Sequence, residues 1–300
     1  MNKQILVIIV TYNAMQWIDR CINSILDSKG IRPDIFIIDN ASKDGTPEYI
    51  NNYYKHKNII FKQSTNNLGF GKANNFGLQF ALDNNYQYVY LMNQDAWVYP
   101  ETIANLISIH KTNPQYGIIS PFQLQANEIH LDYNFGALIS WGHNKGIFED
   151  FYFDRKKAIY PIPFIMAAHW LISRECLRKV GGFSPTFPHY GEDENYVNRA
   201  LYHGFTIGVA PNAIGIHDRE NRPFNMEKRI YMSYIDDLFI QSNIHNPVYQ
   251  SLLGILIKSL LQSKNTGSFL PLKYLYKYIQ QYKQMIKNRE MSKKEKAFLN

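Results

Sequence analysis

From Gln4 to Ser120 the chain alternates short β-branched runs with segments of helical apolar spacing, and this rhythm constrains the fold more than any other feature. Gln4–Val10 is dominated by Ile, Leu and Val, the pattern of a strand buried on both faces. Ala14–Asp27 follows, with Trp17, Ile18, Cys21, Ile22, Ile25 and Leu26 on one helical stripe. The alternation continues as strand Asp34–Ile38, a short helix from Thr46 with Pro47 in its first turn, strand Ile59–Gln63 and helix Gly71–Asp83. Strand Tyr86–Met92, helix Pro100–Thr112 and strand Gly117–Ser120 complete it. Such alternation builds an α/β fold with a mostly parallel central sheet flanked by helices. Ligands bind beyond the carboxyl ends of strands in these sheets. Thr11, Asp39 and Asn93–Asp95 each stand just past a predicted strand, so they are expected to converge on one edge.

The second half reads differently. Gln123–Pro163 is irregular and aromatic, and is expected to form an inserted hairpin region over the site. Phe164–Ile172 is a predicted strand, Arg174–Lys179 a helix stopped by Gly181-Gly182, Glu192–His203 a helix, and Phe205–Val209 a strand. Ala213–Ile216 reads as a short strand ahead of His217. Residues 246–300 are set apart by charge: ten Lys and Arg against two acids, within a chain whose net charge is +7. The body, residues 1–245, is therefore near neutral, which argues against nucleic-acid binding. The tail has helical spacing at Tyr249–Leu261 and Leu272–Ile286. Its stripe Tyr274, Leu275, Tyr278, Ile279, Tyr282 opposes Lys273, Lys277 and Lys287, as in a helix lying at a membrane interface. The alternative is a helical pair packed on the body. No apolar run reaches the ~20 residues that span a bilayer, and the Ile5–Val10 run ends at Thr11-Tyr12-Asn13 without a cleavage pattern. Cys21 and Cys176 form no metal or disulfide spacing, which fits a reducing, cytoplasmic setting.

Five clusters carry chemistry. Thr11-Tyr12-Asn13 and Asp39-Asn40-Ala41-Ser42-Lys43-Asp44-Gly45 stand at adjacent strand ends, where a carboxylate can accept from a nucleobase or a ribose hydroxyl; alone, each is a turn signal. Asn67-Leu68-Gly69-Phe70-Gly71-Lys72-Ala73-Asn74-Asn75 is a glycine-bearing loop opening a helix, without the Walker or dinucleotide pattern; it suits phosphate or ribose, or simply caps the helix. Asn93-Gln94-Asp95 presents a carboxylate suited to a hard divalent cation on diphosphate oxygens; alone it is more often a turn. Tyr190-Gly191-Glu192-Asp193-Glu194 opens a helix, whose N-terminus keeps a carboxylate ionised as a general base requires; the bland reading is a capping cluster. His217 is a metal-ligand candidate only in the company of those acids.

In this order the motifs resemble the family 2 glycosyltransferases, which have the GT-A nucleotide-diphospho-sugar transferase fold and invert the anomeric centre. The similarity covers residues 4–220 and is greatest to bacterial rhamnosyl- or galactosyl-type members that build surface polysaccharides such as lipopolysaccharide or capsule. The resemblance implies that Val10–Asn13 and Asp39 contact base and ribose. Asn67, Gly69 and Asn75 match a donor-side loop ending at Gly77. Asn93-Gln94-Asp95 stands at the family's DxD position, with Asp95 and His217 implied as ligands of Mg²⁺ or Mn²⁺. Glu192-Asp193 matches the ED pair, with Asp193 as base and Glu192 on the acceptor side. There are departures: Asn93 replaces the first acid, Ser184 and Asn195 stand where acids are common, and His169-Trp170 replaces small residues. Trp170 either stacks on an acceptor sugar or fills the core.

The expected function is transfer of a sugar from a UDP- or dTDP-linked donor to a glycan or lipid-linked acceptor, by an enzyme held peripherally at the inner face of the cell membrane through its tail. Two other classes compete. A nucleotidyltransferase would carry a glycine- and lysine-rich signature where Thr11-Tyr12-Asn13 stands. A catalytically degenerate sugar- or nucleotide-binding protein would lack the intact Asp95 and Glu192-Asp193.

Overall fold

The computed structural model describes residues 3–55, 58–219, 225–247 and 249–300. Its first half follows the sequence rhythm: β1 (Ile5–Thr11), α1 (Ile18–Leu26), β2 (Asp34–Asp39), α2 (Thr46–Tyr54), β3 (Ile59–Gln63), α3 (Phe70–Asp83), β4 (Tyr88–Asn93), β5 (Ala96–Val98), α4 (Thr102–Thr112) and β6 (Tyr116–Leu124). Then come α5 (Tyr133–Ile139), α6 (Lys145–Tyr152), β7 (Tyr160–Pro161), β8 (His169–Ser173), α7 (Arg174–Val180), α8 (Glu192–Tyr202) and β9 (Thr206–His217). Three helices close the chain: α9 (Met226–Ser242), α10 (Leu252–Thr266) and α11 (Leu270–Met291).

The strands form one nine-stranded sheet in the order β3-β2-β1-β4-β8-β6-β9-β5, with β7 paired to β9. β3, β2, β1 and β4 are parallel. β8 enters antiparallel between β4 and β6, and β6 pairs parallel with β9. The all-apolar strands are buried on both faces because helices cover both: one core lies with α3, α7 and α8, the other with α1, α2 and α4. α3 approaches closely because Gly77 has no side chain; a Cβ there would stand 2.7 Å from Ile8 of β1. Gly77, expected beside a donor, is therefore a packing residue.

β5 and α9 have no counterpart among the predicted elements, β8 begins at His169 rather than Phe164, and two stretches change character. Residues 123–163 hold α5 and α6 rather than a hairpin, with Asp132 and Asn144 as their N-caps. The two predicted strands at 205–209 and 213–216 are one strand, β9, whose register against β6 shifts between Pro121 and Phe122. That irregularity absorbs Pro211, which cannot donate to a ladder.

The tail packs on the body. Tyr278 and Met285 of α11 and Ile255 of α10 share a core with Tyr234, Ile235 and Leu238 of α9 and with Phe187. Tyr274, Leu275 and Tyr282 pack against the same core, and Tyr274 lies 4.9 Å from the Tyr234 ring. The tyrosine stripe expected to meet lipid thus meets α9 instead. None of the described helices is long and apolar enough to cross a membrane.

Candidate active site

β1 lies between β2 and β4, so the connection reverses direction there, and the carboxyl ends on either side leave a crevice. Register places Thr11 opposite Asp39 and Val10 opposite Asn93. The expected convergence of the three strand ends is therefore a matter of pairing geometry.

The loops beyond β1 and β2 are stitched together. Asp39 is buried, and its Oδ1 accepts from Thr11 Oγ1 at 2.9 Å and Ser42 Oγ at 2.5 Å, its Oδ2 from Ser42 N at 2.9 Å. Asn13, at a φ of 53°, donates its N–H to Ser42 Oγ and accepts from Lys43 N through Oδ1. Gln94 clamps the other side: its Oε1 accepts from Tyr12 N at 2.6 Å and its Nε2 donates to Tyr12 O at 3.1 Å. Tyr12 is left exposed, its ring available to a flat ligand.

The glycine loop is held from behind. Asn40 accepts from Leu68 N and donates to Gly69 O. Asn67 Oδ1 accepts from Gly69 N at 2.9 Å. Gly69 has a φ of 78°, and a Cβ would meet Pro188 O at 2.9 Å, so only glycine fits. Asn75 does not face this loop. It accepts from Phe183 N at 2.7 Å and donates to Phe183 O at 3.0 Å, clamping the turn after α7.

β5 brings Asp95 to His217, because Ala96 pairs with His217. His217 Nε2 lies 3.5 Å from Asp95 Oδ1 and 3.4 Å from Asn93 Nδ2. Its Nδ1, buried and without a hydrogen-bond partner, stands 3.7 Å from Asp132 Oδ2. That carboxylate also accepts from Phe135 N at the start of α5 and lies 3.4 Å from Arg219 Nε. Burial pushes the Asp95 carboxyl up, but the His217 imidazole and Arg219 outweigh it and hold it below its ordinary value. A carboxylate and an imidazole separated by more than a good hydrogen bond, with a second carboxylate behind the ring, fit one divalent cation. Asn93 Oδ1, buried and unpartnered, adds a further oxygen. No three His, Cys, Asp or Glu side chains cluster as a metal site among the described residues, so a cation here would need further ligands from outside these side chains.

Two residues behind the site have roles that the sequence did not assign, although His169 stood out there as a departure from the family pattern. His169 is fully buried; its Nε2 lies 3.0 Å from Ile216 O and its Nδ1 2.9 Å from Tyr90 Oη. A carbonyl can only accept, so Nε2 carries the proton and Nδ1 accepts from the tyrosine. Burial pushes the imidazole down to about 3, so it stays neutral. Asp218 is fixed by Trp17 Nε1 at 2.9 Å. Together these set the strand end that carries His217.

Glu192 and Asp193 open α8 after Gly191, whose φ of 81° and close neighbours Ile235 and Phe187 exclude a side chain. Asp193 is half-buried and accepts from Glu194 N at 2.8 Å. Burial raises its pKa; the N–H groups of Glu194 and Ala167 and the charge of Arg219 oppose the rise. Ala167 is linked to the metal-side edge through Ala168, whose carbonyl accepts from Asn93 N at 3.1 Å. Glu192 is buried, with Oε2 unpartnered, and burial and then the Asp193 charge push its pKa up to about 8. Trp170 is enclosed by Phe183 and Tyr196 and fully buried. It fills the core and offers no face to an acceptor. Asn195 and Ser184 are buried as well, Asn195 accepting from Arg199 Nε at 3.1 Å.

Residues 6–181 match the sequence model of glycosyl transferase family 2. The chain belongs to this family. The match takes in Thr11 through Asp95 and ends ahead of Asp193 and His217. The low-salt glycan biosynthesis hexosyltransferase Agl10 of Haloferax volcanii is 23% identical over 213 residues, 70% of this chain and 67% of that protein. Among solved structures, the mannosyltransferase PcManGT of Pyrobaculum calidifontis, in complex with GDP-Man and Mn²⁺, superposes with a TM-score of 0.58 at 18% identity over 82% of this chain. S. aureus TarS 1-349 in complex with UDP superposes with a TM-score of 0.56 at 15% identity over 79% of this chain. The chain spans 64% and 65% of those two structures. These likenesses establish the GT-A fold, as the motif order implied.

Proposed function

We propose that this family 2 glycosyltransferase moves a hexosyl group from a UDP- or dTDP-linked donor to a glycan or lipid-linked acceptor, inverting the anomeric centre in a single displacement. The observation that carries the reading is the Asp95–His217 pair at the carboxyl edge of the sheet, with Asp132 behind the imidazole. Base and ribose would lie along Tyr12, Asn13 and the loop that Asp39 organises, with Asn67 and Gly69 bordering the donor. Asp95 and His217, with Asn93, would hold Mg²⁺ or Mn²⁺; when bound, that ion neutralises the departing diphosphate. Arg219 adds a fixed positive charge on the same side. Asp193 takes the proton of the acceptor hydroxyl as its oxygen attacks the anomeric carbon, and a raised pKa makes it the stronger base. The neighbours in complex with UDP and with GDP-Man and Mn²⁺ support the donor class, and the archaeal relative supports a hexosyl group and a role in glycan synthesis.

The test is thermal denaturation with UDP, GDP, CDP, dTDP and their sugars, with and without Mn²⁺. One nucleotide should raise Tm in a metal-dependent way, since ligand bound only to the native state stabilises it. Asp193→Asn should keep that shift while turnover falls by about 10³-fold or more. A shift independent of Mn²⁺, or near-normal turnover in Asp193→Asn, would sink the metal and base assignments respectively. No shift with any nucleotide would favour a degenerate fold without a working donor site, or a donor site that forms only with acceptor.

A further inference from the structure

α10 presents its apolar face to solvent. Ile255 and Ser259 point inward, while Leu253, Leu256, Ile257, Leu260 and Leu261 point out, each between 38% and 64% exposed. Their spacing is i, i+3, i+4, i+7, i+8, one continuous helical stripe. Phe269, 82% exposed at the turn into α11, extends the apolar surface, as do Tyr276 and Ile279 on the exposed side of α11. A contiguous aliphatic row outside a folded body is an interaction surface.

Charge decides what covers it. From Asn246 to Arg289 the chain has no Asp or Glu. Within that stretch Lys258 is paired with Asp237 at 2.7 Å and Arg289 is buried. Lys264 of α10 and Lys273, Lys277, Lys283 and Lys287 of α11 stand exposed. A second copy docked on this face would bring these lysines near their own counterparts, whereas an anionic lipid surface neutralises them. The fifteen residues of α10 extend about 22 Å at 1.5 Å per residue, short of the ~30 Å hydrocarbon core. The helix therefore lies in the interface plane.

We propose that α10, with the exposed side of α11, docks the protein on an anionic lipid surface, Leu253, Leu256, Ile257, Leu260 and Leu261 entering the acyl boundary and the lysines meeting headgroup phosphates. The same helical layer packs Phe187, in the loop ahead of Asp193, so docking fixes the acceptor side of the transferase relative to the lipid. The inference goes beyond the proposed reaction and does not depend on the donor.

The full chain is floated with vesicles of phosphatidylcholine alone and with about 30% phosphatidylglycerol. It should rise with the anionic vesicles at low salt, stay behind with the neutral ones, and be released as salt shortens the screening length. Leu256→Gln/Ile257→Gln/Leu260→Gln/Leu261→Gln should weaken vesicle binding by about tenfold or more, and Lys264→Glu/Lys273→Glu/Lys277→Glu should abolish the preference for anionic lipid. Because these side chains are exposed, both variants should keep the native melting transition. The nucleotide-dependent Tm shift is read separately, so loss of that shift bears on the transferase reading alone. Wild-type protein left behind by both vesicle types, or a glutamine variant that floats like wild type, would overturn the proposal. A wild-type dimer that the glutamine variant converts to monomer, with no lipid binding, would assign the face to a second copy.

Discussion

Two neighbouring carboxyls open α8, and their surroundings give them different chemistry. Asp193 is held by two backbone N–H groups and faces Arg219. Glu192 is buried with an unpartnered oxygen beside the Asp193 charge, and its pKa is pushed up to about 8 from 4.5. The folded protein therefore keeps a proton on Glu192 that the unfolded chain has lost. Stability associated with this group is full below about pH 4.5 and lost as pH rises through about 8. Tm should accordingly fall across that window, and Glu192→Gln should flatten the fall; an unchanged slope would assign the pH dependence to another group. Much of the candidate site was legible in single positions, because Thr11, Asp39 and Asn93 end strands, and Asp95 follows one, whose periodicity is local. Asp132, His169 and Arg219 were not. Asp132 shows only an N-cap signal within a stretch of no clear period, and His169 gains its role from the register that puts it beside Ile216. Asn75 and Trp170 carried the opposite problem: an amide or an indole suits a ligand, but the backbone of Phe183 and the core took them first.

The parallel half of the sheet was readable because each β-branched run is short, bounded and followed by a helical stripe. The irregular stretch failed for the reverse reason: α5 and α6 are short helices, rich in Phe and Tyr, and a short apolar run does not separate helix from strand. One device that no periodicity reveals is the staple between α8 and the turn after α7. Arg199 is fully buried and donates to Val180 O at 2.9 Å and Gly182 O at 2.5 Å, while Tyr196 Oη donates to Gly181 O at 3.0 Å. Burial lowers the guanidinium to about 10, so it stays charged at neutral pH. Arg199→Met would strand two buried carbonyls and is expected to cost about 2–4 kcal/mol, measurable by urea denaturation. Arg199→Lys should not restore the loss, since one ammonium cannot reproduce the fork. A variant within about 0.5 kcal/mol of wild type would mean the turn is held without it.

The end of the chain returns to that same turn, which joins the helical layer to the site. Gly182 N donates to Ala297 O at 2.8 Å, Lys296 N donates to Arg178 O at 3.0 Å, and the Arg199 guanidinium lies 5.1 Å from the Phe298 ring. Gly181 is left-handed, and a Cβ would stand 2.0 Å from Ala297 O, so the turn and the strap are shaped to each other. Leu299 packs against the core beneath α3 and α8, and Asn288 Nδ2 donates to Thr186 Oγ1 at 2.9 Å in the loop ahead of Asp193. The strap therefore bears on where α8 begins, and so on where Asp193 sits, while the strand ends that frame the donor crevice rest on the parallel sheet. A chain ending at Ser292 removes the strap and leaves α11 whole. It should retain the metal-dependent nucleotide shift in Tm with a lower starting Tm, because β1, β2 and β4 are untouched. Turnover should fall by about tenfold or more, since sub-ångström to ångström displacement of a general base weakens it strongly. If turnover and nucleotide binding fall together, the strap supports the whole fold rather than the position of α8; if neither changes, Asn75 and Arg199 alone suffice to hold the turn.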